Sequence, residues 1–209
     1  MDMKNLPNLL TAFRIAIVPA VILFMFIPAN WARWIALILF ITAAITDFFD
    51  GHLARKHNVQ SDLGALLDPI ADKFLVLAAL LMLIGNGTLS GLNVLAAIII
   101  LGREILVSGL REFLAGSSVK LPVTLLAKWK TTIQMVAIGF LIAGPAGATV
   151  LPGSQIIGLL GLWAAAIITV ITGYQYVEKG LGQMLKPAPS TEPAPMPAAA
   201  ASDEETSNS

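Results

Sequence analysis

Cysteine is absent from the 209 residues, which excludes disulfides, thiolate metal sites and cysteine nucleophiles within this chain. Charge is scarce too: 12% of residues are charged, and 13 basic residues balance 13 acidic ones. A net charge of zero gives no hint of nucleic acid or of an acidic partner, so what charge there is informs by its placement. No Gly-rich phosphate loop of the Walker type occurs, so ATP hydrolysis is not indicated, and no internal repeat is apparent. Met1 to Asn8 precede the first apolar run without a small-residue cleavage pattern, and further runs follow, so no removable signal peptide is expected.

Apolar residues are what the chain has instead. They make up 56% of it and raise the mean hydropathy to +0.80, far above an ordinary soluble domain. Runs approaching the length of about 20 residues that a bilayer-spanning helix needs recur as far as Tyr176. Gly and Pro scatter through them without strict alternation, which favours helices over a transmembrane barrel. The expected spans are Leu9 to Ile27, Trp34 to Gly51, Gly64 to Ile84, Leu92 to Arg111, Leu125 to Ala143 and Ile156 to Tyr174. This is an all-α polytopic bundle of about six transmembrane helices. The connections Pro28 to Arg33, Gly85 to Gly91 and Gly144 to Ser154 carry one basic residue, Arg33. Lys4, Arg55, Lys56, Lys120, Lys179 and Lys186 fall on the other side, which places that side and both termini in the cytoplasm. Residues 1–180 then form the transmembrane domain, with 1–8 as a cytoplasmic lead-in. Residues 186–209 turn to Pro, Ala, Ser and acids, and are expected to be a disordered cytoplasmic tail.

The decisive stretch runs from Asp47 to Asp72. At about 100° per residue, Asp47, Asp50, Gly51 and Ala54 share one face of the second helix, and Gly64, Asp68 and Asp72 share one face of the third. Consecutive helices of a bundle can point four carboxylates into one cytoplasm-facing polar cavity. Four acids gathered near a membrane cannot all stay ionised without compensation, and bound cations supply it. An all-oxygen donor set suits Mg²⁺ or Mn²⁺, and two such ions suit a pyrophosphate undergoing in-line displacement. Asp62 sits off this stripe and reads as a first-turn acid favoured by the helix dipole; His52 and His57 read as solvated loop residues. Trp31, Trp34, Trp129 and Trp163 read as interfacial aromatics.

These residues resemble the motif of the CDP-alcohol phosphatidyltransferase family, D-x2-D-G-x2-A-R-x8-G-x3-D-x3-D. Each fixed position is present: Asp47, Asp50, Gly51, Ala54, Arg55, Gly64, Asp68 and Asp72. The resemblance implies two divalent metals on the four aspartates, holding the diphosphate of CDP-diacylglycerol, with Asp72 also deprotonating the acceptor hydroxyl. It implies that Asp47, Asp50, Gly51, Ala54, Arg55 and Gly64 receive the cytidine nucleotide. A homodimer in the bacterial cytoplasmic membrane, among membrane lipids, is expected on the same ground. Asn5 to Arg14, Leu101 to Phe113 and Lys128 to Met135 are similar to the glycerol-3-phosphate-using members of the family, and Asn5 and Arg14 are carried as nucleotide or interface candidates.

The acceptor also has a physical argument. Arg103 and Arg111 stand at i and i+8 on the fourth helix, and Lys128 and Lys130 open the fifth, so cations gather at the depth of the acids. A dianionic acceptor phosphate needs such partners, because Arg offers a planar fork and Lys a mobile point charge. Glu104 and Glu112 read as neutralising partners of the arginines, and Gln134 as a cavity or bundle residue. Two alternatives stand beside this one: another acceptor, such as inositol phosphate or phosphatidylglycerol, and a cation-coupled transporter whose acids form an ion route.

Overall fold

The computed structural model describes residues 6–57, 62–115 and 125–184. Within these, the side chains of 6–12, 14–15, 47–57, 62–69, 71–72, 111–115, 125, 127–128 and 179–184 are not described. Six helices and no strand occur among the described residues: α1 Leu6–Phe26, α2 Asn30–His57, α3 Asp62–Gly85, α4 Asn93–Ala115, α5 Leu125–Val150 and α6 Ser154–Met184. Every expected span falls on one of them. The tail from 185 onward lies outside the described residues.

These segments are helical because long apolar runs leave the backbone no partner but itself, and their hydroxyls follow suit. Thr42 donates to Ile38 O, Thr46 to Thr42 O and Thr172 to Ile168 O, at 2.7–2.8 Å. Phe40, Leu80, Leu83, Ile100, Ile138 and Leu141 are fully buried at the centre, while Leu23, Ile98 and Leu160 are more than half exposed on the outside. A bundle apolar on both its inner and outer surfaces is adapted to lipid. Among the described residues, Asn93–Leu110, Trp129–Val150 and Ser154–Glu178 are long and apolar enough to cross a membrane. Ala16–Phe26, Asn30–Thr46 and Lys73–Gly85 are shorter apolar helices. The protein is an all-α polytopic membrane protein.

Lipid is as apolar as leucine, so close packing rather than escape from water joins the helices. The most extensive contact is α5 on α6, where small residues let the backbones approach. A Cβ on Gly158 would lie 2.9 Å from Leu141 Cγ, and one on Gly161 would lie 3.0 Å from Ala137 Cβ. Further contacts join α1 to α2 and α3, α4 to α6, and α2 to α5.

Two expectations need correction. The connection Gly144 to Ser154 is mostly helix: α5 breaks at Gly144 (φ 47°, ψ −127°), resumes at Pro145 and runs on to Val150. The Gly-Pro pair marks a break in one helix rather than its end, because a neighbouring residue occupies the break. That residue is Arg33, which belongs to α2 and not to a connection; its Nη1 donates to Ile142 O at 3.4 Å. Trp163 also departs from a purely interfacial role, since its Nε1 donates to Asn93 Oδ1 at 3.1 Å and ties α6 to α4.

Candidate active site

Cross-helix contacts fix the level at which each functional residue sits. Arg33 of α2 meets Ile142 of α5, and Leu37 lies 3.5 Å from the Cβ position of Gly139, so α2 and α5 are antiparallel. Carried on for about three turns, this register sets Asp47 level with Trp129 and Lys130. Asn93 and Arg103 of α4 meet Trp163 and Thr172 of α6, so these two run parallel. Lys130 in turn meets Glu104. The acid-bearing end of α2 and the cationic parts of α4 and α5 thus share one end of the bundle.

The backbone carries Asp47, Asp50, Gly51, Ala54 and Arg55 on α2 and Gly64, Asp68 and Asp72 on α3, and the two helices touch. Helical continuity through both segments preserves the i, i+3 and i, i+4 registers on which the sequence reading rests. The side chains of all eight lie outside the described residues, as do those of Arg111 and Lys128. Among the described side chains no group of three potential metal ligands occurs.

Arg103 and Lys130 are described, Arg103 partly buried and Lys130 buried. Lys130 is 2% exposed and its Nζ donates to Glu104 Oε1. The same oxygen accepts from Arg103 Nη1 at 3.4 Å. Arg103 reaches α6 as well: Nη2 donates to Thr172 Oγ1 at 3.5 Å, and its guanidinium carbon lies 5.5 Å from the Tyr176 ring centroid, within cation–π range. Gly173 makes room for its stem, since a Cβ there would stand 3.1 Å from Arg103 Cγ. Val107, one turn on, is buried, so this face of α4 points inward. Gln134, one turn after Lys130, is 2% exposed, and its Oε1 has no hydrogen-bond partner; Thr169 Oγ1 and Arg103 Nε share that condition.

Sequence reading missed the contribution of α6. Thr169, Thr172 and Tyr176 stand at i, i+3 and i+7, so the hydroxyls of an otherwise apolar span share one face, and that stripe is the signal that could have found them.

One further feature adjoins the acids. A groove of about 590 Å³ runs between α2 and α5, lined almost wholly by apolar groups. Ile45, Thr131 and Thr132 line one end, and Trp34, Leu151 and Ser154 the other. Ile45 precedes Asp47 by two residues, so the groove begins beside the acid-bearing turn.

The family model described as CDP-alcohol phosphatidyltransferase matches residues 4–171. The chain belongs to this family. Its relatives agree over nearly their whole lengths. A Rickettsia bellii protein named CDP-diacylglycerol--glycerol-3-phosphate 3-phosphatidyltransferase is 47% identical over 173 residues, 83% of this chain and 93% of its own. Proteins of the same name from Cereibacter sphaeroides and Haemophilus influenzae are 41% and 36% identical, covering 85% and 87% of this chain and 96% of each relative. This CDP-alcohol phosphatidyltransferase is therefore an enzyme, a transferase of phospholipid biosynthesis built from membrane helices. Membership of a transferase family leaves the transporter alternative without support.

Proposed function

We propose that the chain transfers a phosphatidyl group from CDP-diacylglycerol to sn-glycerol 3-phosphate, giving phosphatidylglycerophosphate and CMP. The observation that carries this reading is the complete set of motif positions on two touching helices, joined to relatives whose shared name specifies that donor and acceptor. Four carboxylates and no thiolate form a hard-oxygen donor set that fits two Mg²⁺ or Mn²⁺ ions on Asp47, Asp50, Asp68 and Asp72. When bound, such ions supply charge stabilisation to the diphosphate.

The chain's own residues do the rest. Asp72 takes the proton from the acceptor hydroxyl; that oxygen forms a bond to the diacylglycerol-linked phosphorus, and the bond from that phosphorus to CMP breaks. Gly51, Ala54 and Gly64 leave space for the cytidine nucleotide, and Arg55 holds it. Arg103, Arg111, Lys128 and Lys130 form the cationic pocket that anchors the acceptor phosphate. The apolar groove that starts beside Asp47 suits an acyl chain of the donor, which would leave the diphosphate at the acid-bearing turn. The asymmetry of basic residues orients the site and both termini toward the cytoplasm of a bacterial inner membrane. One transmembrane unit through about residue 180 and a homodimer belong to the same reading.

Purified protein in detergent should release CMP only when CDP-diacylglycerol, glycerol 3-phosphate and Mg²⁺ or Mn²⁺ are all present. Equal release with glycerol lacking its phosphate would remove the acceptor assignment. A preference for inositol phosphate or phosphatidylglycerol would establish the same chemistry on another alcohol.

A further inference from the structure

The α4–α5–α6 interior is apolar at Ile100, Ile138 and Leu162, yet next to these it buries a lysine and partly buries a glutamate and an arginine. Such an arrangement is a poor device for stability. Desolvation offsets most of the attraction inside a buried ion pair, and well-packed apolar residues of similar volume are often as good or better. Apolar contacts hold this bundle together elsewhere, so the charges call for another explanation.

Glu104 is the hub of the group. One carboxylate oxygen, Oε1, accepts from Lys130 on α5 and from Arg103 on its own helix. Lys130 is almost wholly enclosed, whereas the Glu104 and Arg103 side chains are 22% and 13% exposed. Arg103 is thereby located by three elements: Glu104 beside it on α4, Lys130 of α5 through the shared oxygen, and Thr172, Gly173 and Tyr176 of α6. Its hydrogen bonds to Glu104 and Thr172 are long, at 3.4 and 3.5 Å, and among the described residues its buried Nε has no partner. A guanidinium has five N–H donors, so Arg103 is fixed in place while much of its donor capacity is still available.

We propose that Glu104, with Lys130 as its buried counter-ion, is a positioning residue for recognition of the acceptor's phosphate. It aims Arg103 at that phosphate. This rests on the reading of the acceptor given above and deepens it. Lys130 keeps its place among the pocket's cations, and its hydrogen bond to Glu104 holds that carboxylate beside Arg103.

The test is Glu104→Gln in the full chain, which keeps Lys130 and Arg103 and removes the carboxylate that aims the guanidinium. It keeps the side chain's volume and an oxygen that can accept from Lys130, so the bundle should fold with a melting curve close to that of the unmodified protein. The KM for glycerol 3-phosphate should rise about tenfold, the scale of one charge-assisted hydrogen bond misaligned, while the KM for CDP-diacylglycerol stays within about twofold. Thr172→Val provides a second arm without touching charge: it removes the hydroxyl that receives Arg103 and should raise the acceptor KM about threefold. A merely structural role would lower the amount of active enzyme and move neither KM. An unaltered acceptor KM in folded Glu104→Gln overturns the role of Glu104, and an unaltered KM in folded Thr172→Val overturns the placing of Arg103 by α6. Absence of CMP release from the unmodified chain would instead sink the proposed function, so the two failures are distinguishable.

Discussion

Replacing Gly144 by alanine strikes the break in α5, and its cost can be worked from the geometry. At φ 47° and ψ −127° the residue occupies a region that side chains rarely adopt, a strain of about 1–3 kcal/mol for a non-glycine. A Cβ there would press directly against Arg33 Nη1 and stand 3.3 Å from the guanidinium carbon. Arg33 must then withdraw from Ile142 O, a long charge-assisted bond whose loss costs about 1–1.5 kcal/mol. Together these give about 3 kcal/mol, or a fall in melting temperature of about 6–12 °C for a chain of this size. Thermal unfolding in one detergent, followed by tryptophan fluorescence, measures it. Gly144→Ala in an Arg33→Met background should cost less than the two single changes added together, because the crowded guanidinium is already gone. A Gly144→Ala protein that melts with the unmodified chain would refute the strained break and the guanidinium seated against it.

Two further outcomes are expected. Asp72→Asn should lower kcat about 10²–10⁴-fold with nucleotide binding largely retained, as measured by CMP release and CDP titration; loss of folding instead would make Asp72 structural. Gly158→Leu should destabilise the α5–α6 contact by about 1–3 kcal/mol, because its Cβ would meet Leu141 and Phe140 within 3.1 Å. Gly102→Leu, which has nothing within 4 Å, should melt no lower than the unmodified chain, and equal melting of the two leucine variants would contradict the packing described.

The helices were legible because apolar length in lipid admits few alternatives, and each expected span landed on a helix within a few residues at most boundaries. Gly144 was not, since a Gly-Pro pair reads as a terminus unless a distant side chain is known to fill the break, and Arg33 lies 109 residues away from its carbonyl partner. The helices that carry the acids were legible from apolar length and local periodicity, while the acids' side chains lie outside the described ones. The cations were legible only in part. Arg103 and Lys130 could be placed at one depth, but the oxygen that joins them and the α6 hydroxyls that receive Arg103 depend on which helices are neighbours, and spacing along the chain does not encode that. Thr172 is 69 residues from Arg103, inside a run whose hydropathy reads only as a span.

The central claim is that Asp47, Asp50, Asp68 and Asp72 converge on a pair of hard cations, and paramagnetic resonance of Mn²⁺ titrated into purified protein with CDP tests it most directly. Two bound ions about 3.5–4 Å apart should give a spin-coupled spectrum that Asp47→Asn or Asp68→Asn abolishes while the helical signal persists. Two uncoupled ions, or binding indifferent to both substitutions, would contradict it.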